Sequence, residues 1–185
     1  MTSFSRLPVC AGLLLVLSAV LVSPTLAQER GSDEARVSPN AAVAQTIGTT
    51  EVRLTYGRPQ VQGRTIFGDL VSYNEVWRTG ANEATTISFS DDVMIEGESL
   101  AAGTYSLYTI PGPDTWTLIF NDNANQWGTD YDENADILRV DVPAESAPSR
   151  EMMSFFFENV TETEGTCVLH WAETRVPFTI AVPEN

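Results

Sequence analysis

No lysine occurs anywhere in the 185 residues, so every one of the ten basic side chains is Arg, set against 25 Asp and Glu. Phosphate recognition needs Lys and Arg clustered on one face, and at a net charge of −15 neither nucleic acid nor anionic lipid is expected as a partner. Thiol and imidazole are nearly as scarce. The chain has two cysteines, Cys10 and Cys167, and one histidine, His170. That set cannot supply the Cys/His cluster of a zinc site, and neither a metal nor a cofactor is expected. Helical spacing is also missing, because no window carries apolar residues at i, i+3, i+4 and i+7 for more than a turn or two. The long apolar run, Val9 to Val22, covers 14 residues, short of the roughly 20 that cross a bilayer as a helix.

What that run does fit is a signal peptide. Arg6 precedes it, and Thr25-Leu26-Ala27 offers small residues for cleavage after Ala27. Residues 1–27 are read as the signal, residues 28–40 as a polar, flexible leader without periodicity, and residues 41–185 as one domain. The expected location is periplasmic or extracellular, with no membrane insertion after cleavage. Loss of Arg6 takes the net charge from −15 to −16 and loss of Cys10 leaves Cys167 without a disulfide partner. Such an acidic, Lys-free surface suits a protein working in high salt, where self-repulsion is screened.

Within 41–185 the apolar residues alternate. Val52, Leu54 and Tyr56 open the series, followed by Ile87 and Phe89, then Val93 and Ile95, then Tyr105 and Leu107. Trp116, Leu118 and Phe120 come next, and Pro111-Gly112-Pro113-Asp114 between these last two sets predicts an antiparallel hairpin. Four further sets follow: 138/140/142, 153/155/157, 167/169/171 and 176/178/180/182. Period-2 patterning punctuated by Gly and Pro, with no strand–helix alternation, predicts an all-β antiparallel β-sandwich of about nine short strands. A closed barrel is the alternative. The core is expected to bury Leu118, Phe120, Phe155, Phe157, Leu169, Trp171, Phe178 and Ile180. Residues 59–75 have no sustained period and read as one long structured loop, packed down by Ile66 and Phe67.

Several linked stretches, among them Tyr56-Gly57-Arg58-Pro59, Gly63-Arg64-Thr65-Ile66-Phe67-Gly68, Trp77-Arg78-Thr79-Gly80-Ala81-Asn82-Glu83-Ala84, Ala102-Gly103-Thr104-Tyr105 and Gln126-Trp127-Gly128, occur in one order. Together they resemble a bacterial secreted family, the domain of unknown function 2911, over residues 38 to 182. The resemblance implies an exported bacterial domain and supplies no activity. Gln62 stands where the family pattern leads one to expect Lys, so no amine is carried over to that position.

The chemistry-bearing residues gather in the same region. Arg58, Arg64 and Arg78 fall within 21 residues of an acidic chain, beside Trp77, Asn82 and Glu83. Arg presents a fork of donors matched to carboxylate, phosphate or sugar hydroxyl, and Trp presents a face for stacking. The expected ligand is a polar or anionic small molecule or a carbohydrate, with at least four of the six residues around one concavity and Trp127 at its rim. The competing reading is a structural clasp in which the Arg side chains bridge Glu83, Asp69 and loop carbonyls. A non-catalytic binding or envelope-associated module is therefore the leading expectation. The alternatives are a hydrolase using Glu83 with Asp69 or His170 as acid and base, and an interaction module working through an edge strand.

Overall fold

The computed structural model of the protein describes residues 35–124 and 126–182; the signal segment and leader residues 28–34 lie outside them. Ten strands follow one another: β1 (Asn40–Ile47), β2 (Thr50–Gly57), β3 (Thr86–Phe89), β4 (Val93–Ile95), β5 (Glu98–Leu100), β6 (Gly103–Ile110), β7 (Thr115–Asn121), β8 (Asp136–Pro143), β9 (Glu145–Glu158) and β10 (Glu164–Ala181). They form two antiparallel sheets, one of six strands in the order β1-β2-β3-β6-β7-β8 and one of four in the order β5-β4-β10-β9. Neither sheet closes into a barrel, so the fold is the expected sandwich.

Alternation in the sequence becomes a shared core. Leu54 and Ile87 face inward from the large sheet with Leu107, Leu118 and Phe120, while Phe155, Leu169, Trp171, Phe178 and Ile180 face them from the small sheet, each 4% exposed or less. Full burial of such side chains stabilises by roughly 1.5–3 kcal/mol apiece. Phe157 is the exception among the expected core residues. It stands two residues before the exposed Asn159 and Val160, packs against the core margin and is only half-buried. Cys167 is fully buried as a free thiol, and burial pushes its pKa well above the usual thiol range.

Two differences from the sequence reading have physical causes. The sets 167/169/171 and 176/178/180 belong to one strand, β10. Ala172 takes φ +51° there and the register against β9 shifts on either side of it. A β-bulge adds one residue and so moves the inward face from odd to even positions without ending the strand. The second difference is β1, whose Ala41, Ala42, Val43 and Ala44 are too small to mark a buried face. It pairs residue by residue with β2 from Asn40↔Gly57 to Ile47↔Thr50.

The connection from β2 to β3, residues 58–85, is the longest between strands and is stitched down along its length. Near its start Met153 N donates to Pro59 O and Val61 N to Glu151 O, which fixes it to β9. In its middle Trp77 and Thr109 exchange both backbone bonds, at 2.7 and 2.9 Å, which fixes it to β6. Near its end Glu83 bridges to Trp127. Turns occupy residues 68–70 and 73–74 of the loop. Gly57, at the loop's root, has backbone on one side so close that an added Cβ would lie 2.2 Å from Ala81 O. Only glycine lets the two limbs of the loop meet there.

Candidate functional site

A cavity of about 720 Å³ opens beneath this loop, a size typical of small-molecule pockets. Its wall is drawn from several parts of the chain: residues 37–38 before β1, residues 59–81 of the loop, Tyr108 of β6, residues 128–131 after β7, and Trp171 of β10. Among the described residues two cations, Arg64 and Arg78, belong to that wall, and no Asp or Glu does.

The loop backbone sets Arg78 in place through strain. Thr79 is fully buried with φ +52°, a left-handed conformation that is an outlier for a β-branched residue and costs on the order of 1–3 kcal/mol. It is held there because its hydroxyl lies 3.2 Å from Trp77 O and 3.1 Å from Thr109 Oγ1, and because Thr85 Oγ1 donates to Thr79 O at 2.8 Å. On the far side the chain at Gly128 presses against the Arg78 stem. A Cβ at Gly128 would stand 2.4 Å from Arg78 Cδ and 2.6 Å from Asn82 O. Arg78 Nε donates to Gly80 O at 3.3 Å, and among the described residues its two terminal nitrogens meet no acceptor. The guanidinium is thus half-buried, positioned by its stem and left with its outer fork open.

Aromatic rings complete the wall. Trp77 stacks on Trp171 with 5.8 Å between centroids and 17° between planes, and both meet Phe67 edge-on. Trp171 is 1% exposed, yet its indole N–H has no hydrogen-bond partner among the described residues; a buried donor of this kind carries a desolvation cost unless something accepts from it. Opposite lie Tyr108 and Tyr131, 4.9 Å apart. Tyr108 accepts from Gln126 Nε2 at 2.9 Å, and burial raises its pKa. Tyr131 donates to Asp136 Oδ2 at 2.6 Å, and burial followed by that bond pushes its pKa up to about 12. Both phenols stay neutral across ordinary pH, so the charge that the described residues give the wall is positive.

Of the six residues expected around one concavity, three line the cavity: Arg64, Trp77 and Arg78. The other three hold the loop. Arg58 turns to β9, donating from Nε to Met153 O and from Nη2 to Ser154 Oγ, both at 2.8 Å. Asn82, at φ +66°, donates to Ser38 O at 3.2 Å. Glu83 is 8% exposed, and both its carboxylate oxygens accept from Arg36 Nη1, at 2.7 and 3.0 Å. The clasp reading pairs Glu83 with Arg58 or Arg78; the partner observed, Arg36, comes instead from the segment read as leader. Arg64 is exposed, and its guanidinium donates to Gln60 O and Val61 O, folding its own turn. Trp127 is 48% exposed and lies outside the cavity wall, paired to Glu83 by its backbone.

The acid–base alternative finds its residues dispersed. Asp69 is exposed on the loop, Glu83 is in its ion pair, and His170 is buried on β10 with Nε2 3.0 Å from Pro148 O. Burial lowers the His170 pKa, which favours the neutral ring. None of the three lines the cavity. Asn121, first in the polar stretch 121–133, is an internal strut that donates to Asp132 O and Asp136 Oδ1.

Sequence reasoning missed Arg36, Val37, Ser38, Tyr108, Gly128 and Tyr131. Gly128 carried a signal, since it closes the Gln126-Trp127-Gly128 stretch. Tyr108 gave none, because on β6 it points away from the face that Tyr105 and Leu107 mark as core.

A family model described as protein of unknown function (DUF2911) matches residues 38–180. No match is found among curated proteins or among solved structures.

Proposed function

We propose that this chain, which belongs to the DUF2911 family of proteins of unknown function, is an exported, non-catalytic binding module that seats a small anionic ligand on Arg78. The observation that carries the reading is the charge of the cavity wall: in a chain with 25 acidic residues against ten Arg, the wall formed by the described residues holds two Arg and no carboxylate. A guanidinium is seldom left without an acceptor at half burial unless a ligand or solvent supplies one. The strained Thr79 and the close approach of Gly128 spend stability on fixing that one side chain, as ligand sites do. Glu83, Asp69 and His170, the acid–base candidates of the sequence, do not line the wall. Export is supported by the signal-like segment 1–27.

The test is thermal unfolding of the mature chain with organic acids, phosphate and neutral sugars. A ligand at 100 times its dissociation constant stabilises by about 2.7 kcal/mol. The expected result is a shift with acids that Arg78→Ala abolishes while the far-UV spectrum and the ligand-free midpoint stay near those of the parent. If Arg78→Ala instead lowers stability by several kcal/mol and no acid shifts the parent, Arg78 is a structural clasp and the reading fails.

A further inference from the structure

The ligand's charge is only half of what the cavity specifies. Eight large apolar side chains stand exposed on the described surface, and three of them, Val37, Leu70 and Val76, line this one cavity. They are 84%, 49% and 40% exposed. Apolar residues scattered singly over a surface need no explanation, but three that converge on a concavity mark a place where something apolar is covered. Deeper in, the wall continues through Val71 to the Trp77–Trp171 stack. The residues immediately preceding the described chain, 28–34, are Gln, Glu, Arg, Gly, Ser, Asp and Glu. They contain no large apolar side chain with which to fill such a collar.

Resting on the reading of Arg78 as an anion anchor, we propose that the ligand is amphiphilic: a monoanionic carboxylic acid whose charged head meets Arg78 and whose uncharged apolar body lies along Trp77 toward the Leu70 and Val76 rim. A carboxylate accepts two parallel N–H bonds from the open fork of one guanidinium. The buried indole N–H of Trp171 is a further donor in the same wall. Along the stretch formed by Leu70, Val71, Val76 and the Trp77 face, which accept nothing, a polyhydroxylated acid of equal charge would desolvate its hydroxyls at a cost that disfavours it there. A second anionic group would find fewer donors, because Arg64 already gives its guanidinium to Gln60 and Val61 carbonyls.

Isothermal titration of the mature chain with acetate, butanoate, hexanoate and octanoate, and with 3-phenylpropanoate, gluconate, phosphate and 1-octanol, separates the possibilities. Burial of one methylene is worth about fourfold in Kd. The expected result is a Kd that tightens by two- to fourfold per methylene along the straight-chain series, with gluconate and phosphate far weaker than octanoate. Leu70→Ser and Val76→Ser, both at exposed positions that leave the core untouched, should weaken octanoate several-fold more than acetate. Comparison of 3-phenylpropanoate with octanoate tells whether the stack prefers a flat or a flexible body. If gluconate or phosphate binds as tightly as octanoate, the amphiphile is wrong while Arg78 remains an anion anchor. If 1-octanol binds as tightly as octanoate and Arg78→Ala changes neither, the apolar seat stands and the anion reading falls. If no member of the series binds, both fail.

Discussion

Arg58 and Arg78 begin as equals in the sequence, each beside Gly or Thr in an acidic chain, and the fold gives them opposite tasks. Arg58 spends its fork on Met153 O and Ser154 Oγ of β9. Arg78 lines the cavity and, among the described residues, makes one bond, from its Nε. The difference is a matter of where each stem is fixed, since Arg58 emerges at the root of the loop where β9 runs alongside, whereas Arg78 is carried past the strained Thr79 and wedged by Gly128. Hydrogen bonds from a charged group contribute about 1.5–3 kcal/mol. Arg58→Ala is therefore expected to cost about 2–4 kcal/mol in urea unfolding without changing ligand selectivity. A loss below about 0.5 kcal/mol would mean that the β9 contacts add nothing measurable and that Arg58 is free for another role. The two arginines could not be told apart in the sequence, because nothing in residue type or spacing records which way a stem leaves the backbone.

At the scale of elements, the alternating strands were legible and their continuity was not. Val52, Leu118, Phe155 and Phe178 declare their faces because a large apolar residue at every second position can be satisfied in only one way. The bulge at Ala172 was hidden, since a shift of one residue imitates the end of one strand and the start of another. β1 was hidden for the opposite reason, as its alanines match either face. Missing β1 also concealed the segment before it. Residues 36–38 cross to the site, where Arg36 pairs with Glu83, Ser38 O accepts from Asn82 and Val37 joins the cavity wall. This segment should behave as part of the site rather than as a tail. In a double-mutant cycle Arg36→Ala and Glu83→Gln are expected to couple by about 0.5–3 kcal/mol, read from urea midpoints. Additive effects would show that the pair contributes nothing beyond its separate side chains. Coupling would show that the segment before β1 is tied to the loop beside the cavity.

For the whole molecule the governing quantity is charge. With 25 acidic residues and ten Arg, one-to-one pairing still leaves 15 carboxylates without a cation, and two of the Arg are already shared among four acids: Arg139 with Glu133 and Asp136, Arg175 with Glu145 and Glu158. These surface pairs are worth about 0–1 kcal/mol each, so they do not offset the repulsion summed over the folded surface. Unfolding spreads the same charges apart, and the folded state is therefore the one that salt relieves more. The screening length falls from about 10 Å at 0.1 M to about 3 Å at 1 M, which passes through the spacing of neighbouring surface carboxylates. The urea midpoint is expected to rise steadily between 0.1 and 2 M NaCl with the slope of the transition unchanged, because the surface exposed on unfolding is the same at each salt. Arg78 should respond less than the surface pairs do, since a half-buried guanidinium is less reached by counterions, and the octanoate affinity should change by a smaller factor than the folding constant. A flat or falling midpoint would mean that the sandwich core outweighs the surface charge so far that the acidic, Lys-free composition has no bearing on folding.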